Sequence, residues 1–109
     1  MYKLWNISLK NPISNAAGVL CTSINELNIM LNTQSSYMIT KSCTLYKRNG
    51  NESPRFWSDN DISINSMGIP NMGIDYYLKW ISENYHLKPI ILSIANIDDN
   101  DTIAMINKI

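Results

Sequence analysis

The sequence predicts an α/β fold with a parallel sheet. Apolar stretches of strand length alternate with stretches of helical periodicity along the 109 residues. Each strand-like stretch gives way to a polar or glycine-bearing segment: Asn15-Ala16-Ala17-Gly18, Lys41-Ser42-Cys43-Thr44 and Asn96. One stretch, Ile90-Ile91-Leu92-Ser93-Ile94-Ala95, is the nearly unbroken apolar run of a parallel strand covered on both faces.

The elements follow in order. Residues 2–9 alternate briefly and predict one or two small strands, with Asn11-Pro12 as a turn before Ile13-Ser14-Asn15-Ala16, a first buried strand. Thr22 or Ser23 can cap a helix whose apolar positions Ile24, Leu27, Met30 and Leu31 recur at helical spacing. Glu26 sits in its first turn, where the helix dipole favours an anion, and the helix stops near Asn32-Thr33. Tyr37-Met38-Ile39-Thr40 reads as the second strand. Residues 47–61, with Gly50, Pro54 and Asp59-Asn60-Asp61, read as an excursion containing a hairpin. Strand-like Ile62-Ser63-Ile64 then enters the polar loop Asn65-Ser66-Met67-Gly68-Ile69-Pro70-Asn71. Residues 73–85 predict a second helix with Ile74, Tyr77, Leu78 and Ile81 on one face. Lys88-Pro89 introduces the third strand, and Asp98 or Asp99 can cap a last helix carrying Ile103, Ile106 and Ile109.

In parallel α/β folds the carboxyl ends of the strands form the ligand face, so the three polar segments and the Asn65 loop are expected to converge there. A closed (β/α)₈ barrel takes about 250 residues. Three units with open sheet edges therefore read as the front part of such a barrel, an incomplete single domain over residues 1–109.

Bulk composition narrows the function. Nine basic and nine acidic residues balance, and no cationic cluster exceeds Lys47-Arg48, so nucleic acid and anionic membranes are not expected partners. No apolar run approaches the roughly 20 residues of a membrane span, and the first residues lack a signal-peptide core, which predicts a cytoplasmic location. Cys21 and Cys43 have neither metal-ligand spacing nor a disulfide framework and are expected to be reduced, packed thiols. No G-x-G-x-x-G or P-loop signature is present, which disfavours a dinucleotide site.

Within the expected ligand face, Lys41 places an ammonium at a strand end beside Ser42, suited to an anion or to negative charge developing on a cofactor; a solvated loop lysine is the plainer reading. Asn65 offers an amide donor and acceptor that match a pyrimidine-type ring edge. Gly68 can let a backbone N–H meet a carboxylate, and the plainer alternative for the pair is a turn before a helix. Ala17-Gly18 lets a flat group approach the backbone. His86 reads as a helix-end residue, Cys21 lacks a nearby histidine, Tyr77 and Trp80 are spaced for packing, and Asp98, Asp99 and Asp101 are better explained as helix caps than as metal ligands.

The segments Asn15-Ala16-Ala17-Gly18, Thr40-Lys41-Ser42-Cys43-Thr44, Pro54-Arg55 and Asn65-Ser66-Met67-Gly68-Ile69-Pro70-Asn71, in this order and spacing, resemble dihydroorotate dehydrogenase over nearly the whole chain. The last motif is similar to the cytosolic, fumarate-using class 1A form. The resemblance implies a (β/α)₈ barrel holding FMN, a homodimer, and oxidation of dihydroorotate to orotate with fumarate as acceptor, in pyrimidine (UMP) biosynthesis. It places Ala17, Gly18, Lys41 and Ser42 against the flavin, and Lys41, Asn65, Ser66, Met67, Gly68 and Ile69 around the substrate. No metal is implied.

Two positions depart from the family's pattern. Ala17 stands where a serine is usual, and Asn96 where a glycine is common. The class 1A base is a cysteine on a later loop that neither Cys21 nor Cys43 matches, so no catalytic residue is expected in this chain, which alone is expected to be inactive. Two other readings fit the same residues: a non-catalytic ligand-binding or interaction module, and another pyrimidine-directed flavin oxidoreductase of the superfamily.

Overall fold

The computed structural model describes residues 1–109. It has α/β architecture with three α-helices, a short 3-10 helix (Val19–Cys21) and three two-stranded sheets. Strands β1 (Tyr2–Leu4) and β2 (Ile7–Leu9) form an antiparallel hairpin that pairs Tyr2 with Leu9. This is the small strand pair expected from the alternation.

The next expected strand does not form: residues 13–16 are irregular and Ile13 is 64% exposed. The Asn15 side chain takes the place of a strand partner. Its Oδ1 accepts the Ile39 N–H at 2.9 Å and its Nδ2 donates to the Ile39 carbonyl at 2.7 Å, so one side-chain amide satisfies both backbone groups that a neighbouring strand would have paired.

Helix α1 (Ile24–Leu31) begins at Ser23 with a reciprocal capping box. The Ser23 hydroxyl accepts the Glu26 N–H at 3.3 Å, and the Glu26 carboxylate accepts the Ser23 and Thr22 N–H groups at 2.8 and 2.9 Å. Its apolar stripe buries Leu27 completely. Strand β3 (Met38–Ile39) follows. The excursion then forms an antiparallel hairpin, β4 (Phe56–Ser58) and β5 (Ser63–Asn65), whose turn is held by the Asp59 carboxylate accepting the Asp61 and Ile62 N–H groups. Asn65 is thus the last strand residue, one position beyond the expected Ile62-Ser63-Ile64.

Helix α2 (Ile74–Asn84) starts after Gly73, whose φ of 85° and backbone approach explain the glycine: a Cβ there would lie 2.9 Å from the Lys47 nitrogen. Ile74, Tyr77 and Trp80 face inward. The Trp80 indole donates to Asn28 Oδ1 at 2.9 Å and the Tyr77 hydroxyl to the Thr22 carbonyl at 2.9 Å, locking α2 onto α1 and its N-terminal turn. Leu78 and Ile81 are half-buried at the margin of this face.

The third strand is shorter than the apolar run. Regular pairing covers β6 (Ile90–Ile91), parallel to β3, and resumes as a single bridge between Cys43 and Ile94. Residues 90–95 are half-buried, so the run is not covered on both faces. Helix α3 (Asp99–Ile106) is capped by Asp98, whose carboxylate accepts the Asn100 and Asp101 N–H groups. It packs through Met105; Ile103, Ile106 and Ile109, the expected apolar positions, are 58%, 57% and 72% exposed.

The core gathers Cys21, Leu27, Met38, Cys43, Ile74, Tyr77, Trp80 and Met105 between the β3–β6 pair and the helices. No helix is long and apolar enough to cross a membrane.

Candidate functional site

Parallel pairing brings the carboxyl ends of β3 and β6 side by side. The Ser42 and Ser93 hydroxyls meet at 2.8 Å, and the Ser93 N–H donates to Thr40 Oγ1 at 3.2 Å. Beyond β3 the chain folds Lys41 inward until it is 8% exposed. Its Nζ donates to the Ala17 carbonyl at 3.3 Å and its own N–H to the Cys21 carbonyl at 3.2 Å, tying the Ala17-Gly18 segment to the strand end. No carboxylate pairs with Lys41; the one ion pair in the molecule is Lys108–Asp75. A nearly buried ammonium with one carbonyl partner is undercompensated and favours an anionic neighbour.

Gly18 has an ordinary φ of −83°, and a Cβ there would meet nothing within 4 Å. Neither backbone strain nor internal packing requires a glycine at this position. Its lack of a side chain instead leaves open space against the backbone, in a cavity of about 310 Å³ shared with Asn15, Ala16, Val19, Leu20 and Met30. These features fit a flat anionic cofactor.

The Asn65 loop is fastened at its base by Asn71, 2% exposed and fully bonded. Its Oδ1 accepts the Thr44 and Gly73 N–H groups at 3.1 and 2.9 Å, and its Nδ2 donates to Thr44 Oγ1 and the Ile69 carbonyl, both at 3.0 Å. The excursion therefore leaves at Thr44 and is pinned back to it at Asn71. The Ser66, Met67 and Gly68 carbonyls all turn toward the preceding residues: Asn51 Nδ2 donates to Ser66 at 2.7 Å, the Asn51 N–H to Met67 at 2.9 Å, and Arg48 Nε to Gly68 at 2.7 Å. Arg55 in turn clamps the Asn49 and Asn51 carbonyls at 2.7 and 3.0 Å.

In a planar trans peptide the N–H points opposite to the C=O. Three clamped carbonyls consequently turn the Met67, Gly68 and Ile69 N–H groups the other way, and no protein group accepts any of them. Gly68 and Ile69 both have positive φ, 74° and 56°, a backbone bend that suits successive N–H groups to an anion. Asn65 and Ser66 are exposed at its edge and line a groove of about 260 Å³ with Pro54, Arg55, Phe56, Trp57 and Ile64.

The expected residues thus form two groups. Ala17, Gly18, Lys41 and Ser42 lie at or near the strand ends, and residues 65–69 form a donor loop at the end of the hairpin; Thr44–Asn71 joins them, and Gly18 of the first group and Asn65 and Ser66 of the second line separate cavities. Asn15, Arg48, Asn51, Asn71 and Ser93 were not singled out by residue type, although Asn15 and Asn71 lie inside the informative motifs. Asn96 lies ahead of α3, where its Nδ2 donates to Asp99 Oδ1 and its Oδ1 accepts the Thr102 hydroxyl, both at 3.0 Å. Both cysteines are free and buried. Burial pushes the Cys43 thiol up to about 11 and raises Cys21 as well, where the Lys41 charge opposes burial and Glu26 adds to it. Such thiols are inert packing groups near neutral pH.

The profile of the dihydroorotate dehydrogenase family matches residues 1–109. The chain belongs to the dihydroorotate dehydrogenase family. It is 44% identical over 108 residues to dihydroorotate dehydrogenase A (fumarate) of Lactococcus lactis subsp. cremoris, covering 95% of this chain and 35% of that protein. The dihydroorotate dehydrogenase (fumarate) of Trypanosoma brucei brucei is 43% identical over 101 residues, 91% of this chain and 32% of that protein. That of Saccharomyces cerevisiae is 40% identical over 111 residues, 98% and 35%. The chain spans about a third of the length of these relatives. The fumarate-using form expected from Asn65-Ser66-Met67-Gly68-Ile69-Pro70-Asn71 is the one whose name these relatives carry.

Proposed function

We propose that this member of the dihydroorotate dehydrogenase family contributes the substrate loop and part of the FMN site of a fumarate-using enzyme that converts dihydroorotate to orotate in pyrimidine (UMP) biosynthesis, built as one sector of a (β/α)₈ barrel. The observation that carries the reading is the run of N–H groups at Met67, Gly68 and Ile69 that no protein group accepts, directly after Asn65-Ser66 in the chain. A carboxylate on a cyclic amide needs this set: converging N–H donors for the anion and a donor–acceptor side chain for the ring edge.

Lys41 holds negative charge at the site, because its buried ammonium has no internal counter-ion. Gly18 and Ala17 admit the flat face of the cofactor, and the Ser42 hydroxyl offers it a polar contact. FMN, when bound, would supply acceptance of the two electrons that leave dihydroorotate and their delivery to fumarate. Ser66 stands beside Asn65 as a further polar contact at the groove. Neither thiol of this chain serves as the base that removes the C5 proton, since both are buried and held in the neutral form. That group is expected on another segment of the enzyme, which we take to be a cytoplasmic homodimer. A binding-only role is the second reading, favoured by the same inert thiols.

Orotate titrated into the FMN-loaded enzyme that carries this sector together with the segment supplying the base is expected to shift the flavin absorption, and dihydroorotate with fumarate to yield orotate and succinate in equal amounts. Orotate binding without turnover would favour the second reading. No spectral response to orotate at millimolar concentration would overturn both.

A further inference from the structure

We infer that Asn51 is a positioning residue for the substrate anion, acting through the loop and not by touching the ligand; this rests on the reading of the loop given above. Asn51 lies 14 residues before Asn65 in an exposed turn, where nothing about its burial would demand an asparagine. It nevertheless makes two bonds to consecutive loop carbonyls: Nδ2 to Ser66 at 2.7 Å and N–H to Met67 at 2.9 Å.

The consequence follows from peptide geometry. Each bond fixes one peptide plane, and each plane carries the next residue's N–H on its opposite edge, so Asn51 alone orients the Met67 and Gly68 donors. Arg48 adds the third through the Gly68 carbonyl. Packing reinforces the register: a Cβ on Gly68 would come within 2.6 Å of Asn51 Cγ and 2.7 Å of its backbone nitrogen, so the glycine backbone lies directly on this residue. A free peptide plane can rotate. Without the Ser66 bond the Met67 N–H is no longer held toward the ligand, and the anion meets a cradle it must first order.

Asn51→Ala removes only the Ser66 bond and leaves the backbone contact to Met67. Asn51→Asp keeps the shape, aims a carboxylate oxygen at the Ser66 carbonyl and adds negative charge near an anion site. Orotate dissociation constants by isothermal titration calorimetry, and dihydroorotate KM and kcat, all measured on the FMN-loaded enzyme that carries this sector together with the segment supplying the base, separate the outcomes. Asn51→Ala is expected to raise the orotate Kd and dihydroorotate KM about tenfold, with kcat within about twofold and FMN content and melting temperature unchanged. Asn51→Asp is expected to raise both constants further. Unchanged Kd in Asn51→Ala overturns the inference while wild-type binding preserves the underlying reading. A parallel loss of FMN content, melting temperature and kcat also overturns it, because that is a folding defect. A wild-type protein that binds no orotate removes both.

Discussion

Lys41 carries an ammonium into a space where it is 8% exposed, with one carbonyl at 3.3 Å and no carboxylate partner. Packing alone would favour an apolar chain of similar length there. Lys41→Met is therefore expected to raise the protein's unfolding free energy by about 1 kcal/mol, measured by urea denaturation, while weakening orotate binding at least about tenfold. A variant that is both less stable and equally able to bind orotate would assign the lysine to structure. The residue's chemical type and its place after Met38-Ile39-Thr40 were readable from the chain, because a strand end followed by a cation is a local pattern. Its burial and missing counter-ion were not, since they depend on Ala17 and Cys21 folding over it from 20 or more residues away. Asn51 was equally unreadable: an exposed asparagine in a polar turn has nothing in its sequence context to show that it grips residues 66 and 67.

Among the elements, helices were the most legible. Of the two capping candidates Thr22 and Ser23, Ser23 caps α1, with Glu26 in the first turn closing a capping box; the Ile74, Tyr77, Leu78 and Ile81 spacing located α2, although Trp80 is buried with Ile74 and Tyr77 while Leu78 and Ile81 lie at the margin. Residues 13–16 misled because an apolar residue beside Ser, Asn and Ala looks like a strand until the Asn15 amide is seen bonding Ile39 on both backbone groups. The face of α3 misled for a related reason: helical spacing marks a stripe, but only packing decides which side of the helix turns inward, and Met105 does. Asn15 supports the edge of β3 and fixes the segment leading to Gly18. Asn15→Asp keeps the acceptor for the Ile39 N–H and sets a carboxylate oxygen against the Ile39 carbonyl. It is expected to cost about 2 kcal/mol in denaturant unfolding and to loosen backbone protection at Ile39 in hydrogen exchange. Wild-type stability and unchanged exchange at Ile39 would show that the amide is incidental to the edge.

Taken whole, the molecule is a slab of 42 × 41 × 22 Å with a radius of gyration of 15.0 Å, where about 13 Å is usual for a single compact domain of this length. Its accessible surface is 7510 Å², against about 6,200 Å² expected from size scaling. Large apolar side chains contribute to the excess. Leu20, Ile29, Ile103 and Ile106 are each more than half exposed, as are Phe56, Trp57 and Ile64 on the β4–β5 hairpin. The outer edge of β6 has no strand partner, whereas the outer edge of β3 is at least met by Asn15. A sector of a barrel has this profile, because two neighbouring sectors and an enclosed interior would cover what is open here. The 109-residue chain alone is therefore expected to bind the dye ANS strongly and to sediment as species heavier than 12.5 kDa. Adding 1 M urea should disperse the assemblies before the helices melt, since contacts between exposed faces are less well packed than the core around Leu27 and Tyr77. A monodisperse 12.5 kDa monomer without ANS fluorescence would mean that this slab covers its own surface in solution, and the barrel-sector proposal would lose its main structural support.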